Sequence, residues 1–508
     1  MAITKSLDVS AIASATSVSV KQQNQQTAAN LRPEVIVCIG QAQEGKTVET
    51  DKLYLASGNA DDAGVIFGFG SPLHRQAIKL FPKAGNGSKV DTYFLPVAAP
   101  TNGKTTIKTV TPQLATNGIT KTINGYLRLK DQVFEAAADV AGKVATNAHN
   151  NPAKAPRGTV LNSYEVKKYP FSLSKGMTAA EILAVIKESL DDYLEVPFTM
   201  SITEGVMTLT SKWKGTDSLF EFDFVDSNED PLTAAAHGVS FKVETTQEAA
   251  GVGTISKAAL ALMNTELGVT RVVSQYANDT VLDTLKEKFE AWHEGLTAQY
   301  VICYSAIKAP ESETVSGTYD MQSLLDAGNA RKDDSINVQL VGDFGELRPL
   351  EYQERNRLLK AGYSNIVKQS DGSYKLMDLA TFYHPVGVSN PLFRFDRDVT
   401  VVANIAYDLM YQFRDTEAWK SVIIASDKDV TTNPDVRTLK DVKAAVNTRI
   451  GLLGLAGLIA NYVEAQNNTV VEIDKNNPNR LNINPKFEIT GVGRIFDITN
   501  FIGFYFGD

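Results

Sequence analysis

Residues 487–508 read Phe-Glu-Ile-Thr-Gly-Val-Gly-Arg-Ile-Phe-Asp-Ile-Thr-Asn-Phe-Ile-Gly-Phe-Tyr-Phe-Gly-Asp. From Val492 onward, Val492, Phe496, Ile498, Ile502, Phe504 and Phe506 share one parity. Arg494 and Asn500 interrupt that face, and Asp497, Thr499 and Tyr505 fall on the other. Two-residue alternation of aromatic and β-branched side chains predicts a strand with one apolar face. So much apolar strand needs a sheet edge to receive it, and that edge can belong to another copy of the chain. The pattern points to assembly rather than to a free enzyme.

The opposite end shows a related pattern. Ala11–Val20 is rich in Ala and Ser and finishes Ser17-Val18-Ser19-Val20, and Lys21–Asn30 is a polar, glutamine-rich tract. Such a tract cannot build a core and reads as a linker. Val18 and Val20 are therefore expected on a short strand carried by a tether.

At 508 residues the chain has room for about three domains. Its 43% hydrophobic and 21% charged content is that of a globular protein. A net charge of −9 argues against binding nucleic acid or an anionic membrane. The two cysteines, Cys38 and Cys303, lie inside apolar runs, so a disulfide framework is excluded and synthesis in a reducing cytosol is expected. The first residues lack the basic and apolar regions of a signal peptide. The longest apolar run, Ile450–Ile459, carries three glycines and is too short to span a membrane.

Along the chain, Glu34–Ile39 predicts a buried strand and Ala63–Gly70 a Gly/Phe-rich turn region. Ser71 should cap a helix that begins with Pro72 and runs through Phe81, followed by a strand over Val90–Val97. Residues 101–250 shift to Thr, Asn, Gly and Lys, with short alternating runs at Thr105–Val110, Thr199–Thr210 and Leu219–Phe224. One amphipathic helix, Thr178–Leu190, interrupts them, with Ile182, Val185, Ile186 and Leu190 on one face. From 255 the α/β texture resumes: helices over Ser256–Leu267, Asp279–Gly295, Gln322–Ala330, Tyr352–Ala361, Asp398–Arg414 and Thr438–Asn461. Strands are expected over Arg271–Ser274, Gln299–Tyr304, Asn337–Val341, Tyr374–Leu379 and Val470–Ile473.

The expected fold class is α/β (mixed α+β) and multidomain. An arm spans 1–32, an α/β middle domain 33–100 plus 251–345, and an inserted β-rich outer domain 101–250. A C-terminal α/β domain spans 346–490, followed by a strand over 491–508 that is exchanged between subunits.

Gly40-Gln41-Ala42-Gln43-Glu44-Gly45-Lys46-Thr47 matches the phosphate-loop spacing and follows a predicted strand. A phosphate loop needs a helix N-terminus for its N–H cradle. The residues after Thr47 show no amphipathic helix before Gly58, and Glu44 puts a carboxylate where phosphate would sit. The chance-match reading is favoured, with a P-loop NTPase as the distant alternative. The five histidines show no metal-ligand spacing, and His74 reads as a surface or capping residue. No catalytic residue, cofactor or metal is expected. On the helix from Thr438, Leu439, Val442, Val446, Ile450 and Leu453 form an apolar face, flanked by Arg437, Lys440, Lys443 and Arg449. That flank is a solvated face or a contact to an acidic partner.

Three groups of residues, in order, resemble the contractile-tail sheath family of bacteriophages, its Mu-like branch most closely. The first is Val35–Gln41 with Gly64–Arg75. The second is Glu354–Gly362 with Asp371-Gly372 and Thr381-Phe382-Tyr383. The third is Asn476–Asn482, close to the family's D-P-N-R-L-D, with Asn477 and Asn482 in place of both acids. The resemblance covers roughly 33–100 and 250–508. It implies a non-enzymatic subunit of stacked hexameric rings around an inner tube, contracting to drive the tube through a host envelope. Implied partners are further copies of the chain, the tail tube protein, and baseplate and terminator proteins, with no direct nucleic acid and no membrane insertion. The implied location is the virion tail, assembled in the host cytoplasm. A tailocin sheath is the near alternative, while type VI sheaths are usually split into two chains. Val18, Val20, Phe496, Ile498, Ile502 and Phe504 would be the inter-subunit strand contacts. Lys440, Lys443 and Arg449 would face the tube.

Overall fold

The computed structural model describes residues 32–81, 91–130, 135–136, 168–294, 301–303, 307–308, 336–341, 351–360, 364–368, 374–378, 380–381, 394–428 and 433–491, apart from scattered single positions. Val18, Val20 and the strand over 492–508 lie outside them, as does the helix expected over 322–330. The chain divides into two compact units whose described residues are those within 33–403 and those within 404–491 together with Arg32.

The first unit opens with β1 (Val35–Gly40), β2 (Tyr54–Leu55), α1 (Ala60–Phe67), α2 (Pro72–Leu80) and β3 (Asp91–Pro96). Helix α1 corrects the turn expected around Ala63–Gly70. Asn59 caps it by accepting from Asp61 N, and Gly64 sits inside it because a Cβ there would lie 2.4 Å from the Phe69 ring. The glycine is a packing residue, not a turn residue. Ser71 caps α2, with Pro72 in the first turn.

Residues 107–247 then build two antiparallel sheets. In chain order this stretch holds β4 (Ile107–Leu114), β5 (Ile123–Lys130), β6 (Glu135–Ala136), which joins a different sheet, β7 (Lys168–Leu173), α3 (Ala179–Asp191), β8 (Phe198–Thr203), β9 (Val206–Ser211), β10 (Glu221–Asp226), α4 (Ala234–His237) and β11 (Val239–Gln247). One sheet has the order β10-β5-β7 and the other β11-β4-β9-β8. Thr178 and Glu181 close a capping box that starts α3, and Ile182, Leu183, Ile186 and Leu190 are buried. The β8–β9 hairpin turns on Glu204-Gly205 with φ of 52° and 78°, the positive pair that a type I′ turn demands. Arg128 lies directly opposite Asp223, and Nε donates to Oδ1 at 2.9 Å. These sheets share their own core, which includes Leu127, Phe171, Phe198, Phe222 and Phe224.

The chain returns through α5 (Lys257–Leu262), β12 (Arg271–Ser274), α6 (Asp279–Glu294) and β13 (Ile302–Cys303). Helix α5 ends five residues before the expected Leu267. Strand β12 runs parallel to β1, which also pairs in parallel with β3, giving the order β13-β12-β1-β3-β2. Val37 and Ile39 share a core with Leu95, Ala259, Leu285 and Phe289. Each of these buried side chains other than Ala259 contributes roughly 1.5–3 kcal/mol. Cys38 is fully buried, and burial pushes its thiol pKa up. A further sheet joins β6 to β14 (Ile307–Lys308), β15 (Ile336–Val341), β16 (Ser364–Lys368) and β17 (Tyr374–Asp378), with α7 (Tyr352–Lys360) before β16. Helix α8 (Asp396–Arg414) begins where Arg271, itself buried, reaches Asp396 at 3.1 Å.

The second unit contains the rest of α8 from Asn404, then β18 (Ile423–Ala425), β19 (Val436–Thr438) and α9 (Leu439–Leu455). It continues with β20 (Ile459–Ala460), α10 (Tyr462–Asn467), β21 (Val470–Ile473), β22 (Leu481–Asn484) and β23 (Glu488–Ile489). Thr438 and Asp441 form a capping box, and Val442, Val446, Ile450 and Leu453 are fully buried, as the periodicity expects. The helix does not reach Asn461. Gly457 takes φ +75°, and Leu458 N donates to Leu453 O at 3.0 Å, closing the last turn. The architecture is therefore mixed α/β with several small sheets, as expected.

Candidate functional site

The arrangement most like a ligand site lies at the carboxyl end of β1. From β1 the chain crosses to β3 on one side, and from β12 to β13 on the other. Open α/β sheets hold ligands in the crevice at such a switch point. Here the Gly40–Thr47 motif follows β1, so its spacing and its place in the sheet both suit a phosphate loop.

The loop's N–H groups are taken by the protein itself. Gln41 N donates to Gln275 Oε1 at 2.6 Å, and Gln41 Nε2 to Lys214 O at 2.7 Å. Gln43 N donates to Phe67 O, Glu44 N to Lys212 O, and Lys46 N back to Gln43 O. A phosphate would need these N–H groups free. No helix follows Thr47 among these residues, all of which are described, and Lys46 Nζ turns to Val65 O at 3.3 Å. Glu44 pairs with Lys214 at 2.5 Å. The loop is a strut that ties the β9 end to the parallel sheet. Lys46→Ala should change stability by less than about 0.5 kcal/mol and leave ATP binding absent, checked by thermal unfolding with and without nucleotide.

Lys212, just past β9, completes the strut. Its Nζ donates to Phe69 O at 2.7 Å and Leu194 O at 3.0 Å. Gly70 permits this approach, because a Cβ there would sit 2.3 Å from Val196 O and 3.0 Å from the Lys212 nitrogen. Burial pushes the ammonium pKa down to about 8, with Glu195 opposing and Arg75 adding to the shift. Of the surface and capping roles expected for neighbouring His74, the structure excludes the first and fits the second. His74 is 2% exposed, and its Nδ1 accepts from Gly70 N at 2.9 Å. Nothing in the spacing of the sequence marks Lys212, whose partners lie 18 and 143 residues away.

The basic flank of α9 divides. Lys440 is exposed and Lys443 half-buried, with its Nζ 3.5 Å from Asn467 O. Arg449 leaves this set. It forms a two-pronged ion pair with the fully buried Asp408, Nε to Oδ2 at 2.8 Å. A guanidinium committed to a buried carboxylate holds the fold and does not present charge to a partner.

The Asn476–Asn482 motif runs from the loop of the β21–β22 hairpin into the first two residues of β22. Its carboxylate is Asp474, which accepts from Asn476 N at 2.9 Å, Asn477 N at 3.2 Å and Asn482 Nδ2 at 3.3 Å. Those bonds, the Asn476 one foremost, hold its pKa below the usual range. Asp474 also lies 3.8 Å from Arg480, so a carboxylate faces that arginine although Asn477 and Asn482 carry no charge.

No protein-family model and no curated protein matches the chain. Among solved structures, the crystal structure of a sheath tail protein from Desulfitobacterium hafniense is similar over 90% of this chain and 93% of its own. The identity is 11% and the TM-score 0.39. A chain of the anti-feeding prophage baseplate, seen by cryo-electron microscopy, is similar over 52% of this chain and 76% of its own, at 11% identity and a TM-score of 0.34.

Proposed function

We propose that the chain is a structural, non-enzymatic subunit of a contractile tail sheath. It polymerises as stacked hexameric rings around an inner tube, and contraction drives that tube through a cell envelope. The observation that carries this reading is the sheet content of the 404–493 unit. Among the described residues every sheet there has two strands: β18–β19, β20–β23 and β21–β22. Each strand is thus an edge, and two-stranded ribbons are marginal in water without added strands. Apolar side chains remain exposed beside them, including Ile423, Leu455, Val463 and Val470. Such edges suit strands donated by neighbouring copies, with Val18 and Val20 on one arm and Phe496, Ile498, Ile502 and Phe504 on the other. The ordered sequence motifs supply the rest of the argument.

Lys440 and Lys443 are the residues proposed to face the tube protein; baseplate and terminator proteins would bound the polymer. Its place would be the virion tail, after assembly in the host cytoplasm. Negative-stain electron microscopy of the purified protein, alone and with its tube protein, tests the reading. Hollow striated tubes or stacked rings are expected. Monomers at high concentration in both samples would overturn it.

A further inference from the structure

Lys212 does more than bridge two carbonyls. Its side chain also lines a cavity of about 370 Å³, with Lys46 and Asp191 and the apolar Phe69, Tyr193 and Leu194. Both of its acceptors, Phe69 O and Leu194 O, are neutral carbonyls. An ammonium bonded only to neutral carbonyls, largely withdrawn from water on a wall of mixed polar and apolar side chains, is costly, and a basic group retained at that cost on a cavity wall marks a candidate site.

We propose that Lys212 is an acylation site, its amine receiving the acyl group of a small activated donor, a thioester or an acyl phosphate, admitted by this cavity. The proposal is independent of the sheath reading. The neutral amine's lone pair attacks the acyl carbon. The C–N bond forms as the C–S or C–O bond breaks, the thiolate or phosphate departs, and the amine's proton passes to water. The charged groups around the nitrogen are Glu195 and Arg75, with Lys46 and Asp191 on the cavity wall. The depressed ammonium pKa, about 8, supplies neutral amine near neutral pH. The product amide keeps one N–H where the ammonium had three, so Phe69 O and Leu194 O cannot both be served. Acylation thereby loosens the tie between the turn after α1 and the segment after α3.

The test uses the full-length protein with limiting sulfo-N-hydroxysuccinimidyl acetate, and acetyl phosphate in parallel, across pH 7 to 9. Peptide mass spectrometry follows Lys212 against the exposed Lys46 and Lys440. Lys212 should react at least about tenfold faster than either at neutral pH, with a rate midpoint near 8. In Lys212→Arg that product should vanish, while a wild-type far-ultraviolet circular dichroism spectrum and a cooperative thermal transition show that the variant is folded. Equal rates at the three lysines, or a Lys212 rate still climbing without a midpoint at the top of the range, would overturn the proposal.

Discussion

Removing residues 492–508 should leave a soluble subunit that no longer polymerises. The segment carries six apolar residues on one parity, and each contributes roughly 1.5–3 kcal/mol when fully buried. Even after the cost of ordering the strand, its loss from every junction should raise the critical concentration by orders of magnitude. Sedimentation and electron microscopy read the result directly. Phe496→Asp with Ile502→Asp should reproduce the truncation, because both residues share the apolar face. Asp497→Asn, on the other parity, should assemble normally. Ordinary tubes from the truncated chain would remove strand donation from this end, whatever else holds the polymer together.

The second large effect is expected inside the 404–493 unit. Asp408 is fully buried, and Arg449 is its two-pronged partner. Truncating one member strands the other charge in a low-dielectric site, so Asp408→Ala or Arg449→Ala should cost about 3–5 kcal/mol. Replacing both with leucine should recover much of that loss, because the penalty lies in the orphaned charge. Denaturant unfolding of the subunit measures it. The same experiment separates two roles for the α9 flank. Arg449→Ala should weaken the fold, whereas Lys440→Ala and Lys443→Ala should leave stability within about 0.5 kcal/mol and reduce only tube attachment. A loss below about 1 kcal/mol in Asp408→Ala would mean that water reaches the pair.

What could be read from the sequence depended on how local its cause was. The alternation over Thr199–Thr210 was legible because it sits in one short window, but the Glu204-Gly205 turn that folds that run into two paired strands was not read. The start of α9 was legible for the same reason, since Thr438 and Asp441 lie three residues apart. Helix α1 was not. Gly64 looks like a chain breaker in composition, yet it is there to receive the Phe69 ring. Arg449 falls on a basic flank by periodicity, but its partner is 41 residues upstream, and no window shows that pairing. The phosphate-loop match fails for a related reason. Its spacing is correct, but the carbonyls that occupy its N–H groups come from Phe67 and Lys212, far along the chain.

The central strand β1 has a consequence for the order in which the molecule folds. Val35 and Thr270, hydrogen-bonded at 2.9 Å, are separated by 235 residues. Pairing β1 with β12 before the intervening chain is organised would mean closing a very long loop. The β-rich segment has its own core, and its two ends meet where Lys104 bridges Ala250. Once it is folded, the loop left between β3 and β12 is shortened roughly sixfold. At about 0.6 kcal/mol per doubling, that lowers the closure cost by on the order of 1.5 kcal/mol. If the segment that interrupts the parallel sheet in sequence folds first, closing that sheet becomes easier, and a lesion in the β-rich core should slow maturation of a sheet it does not belong to.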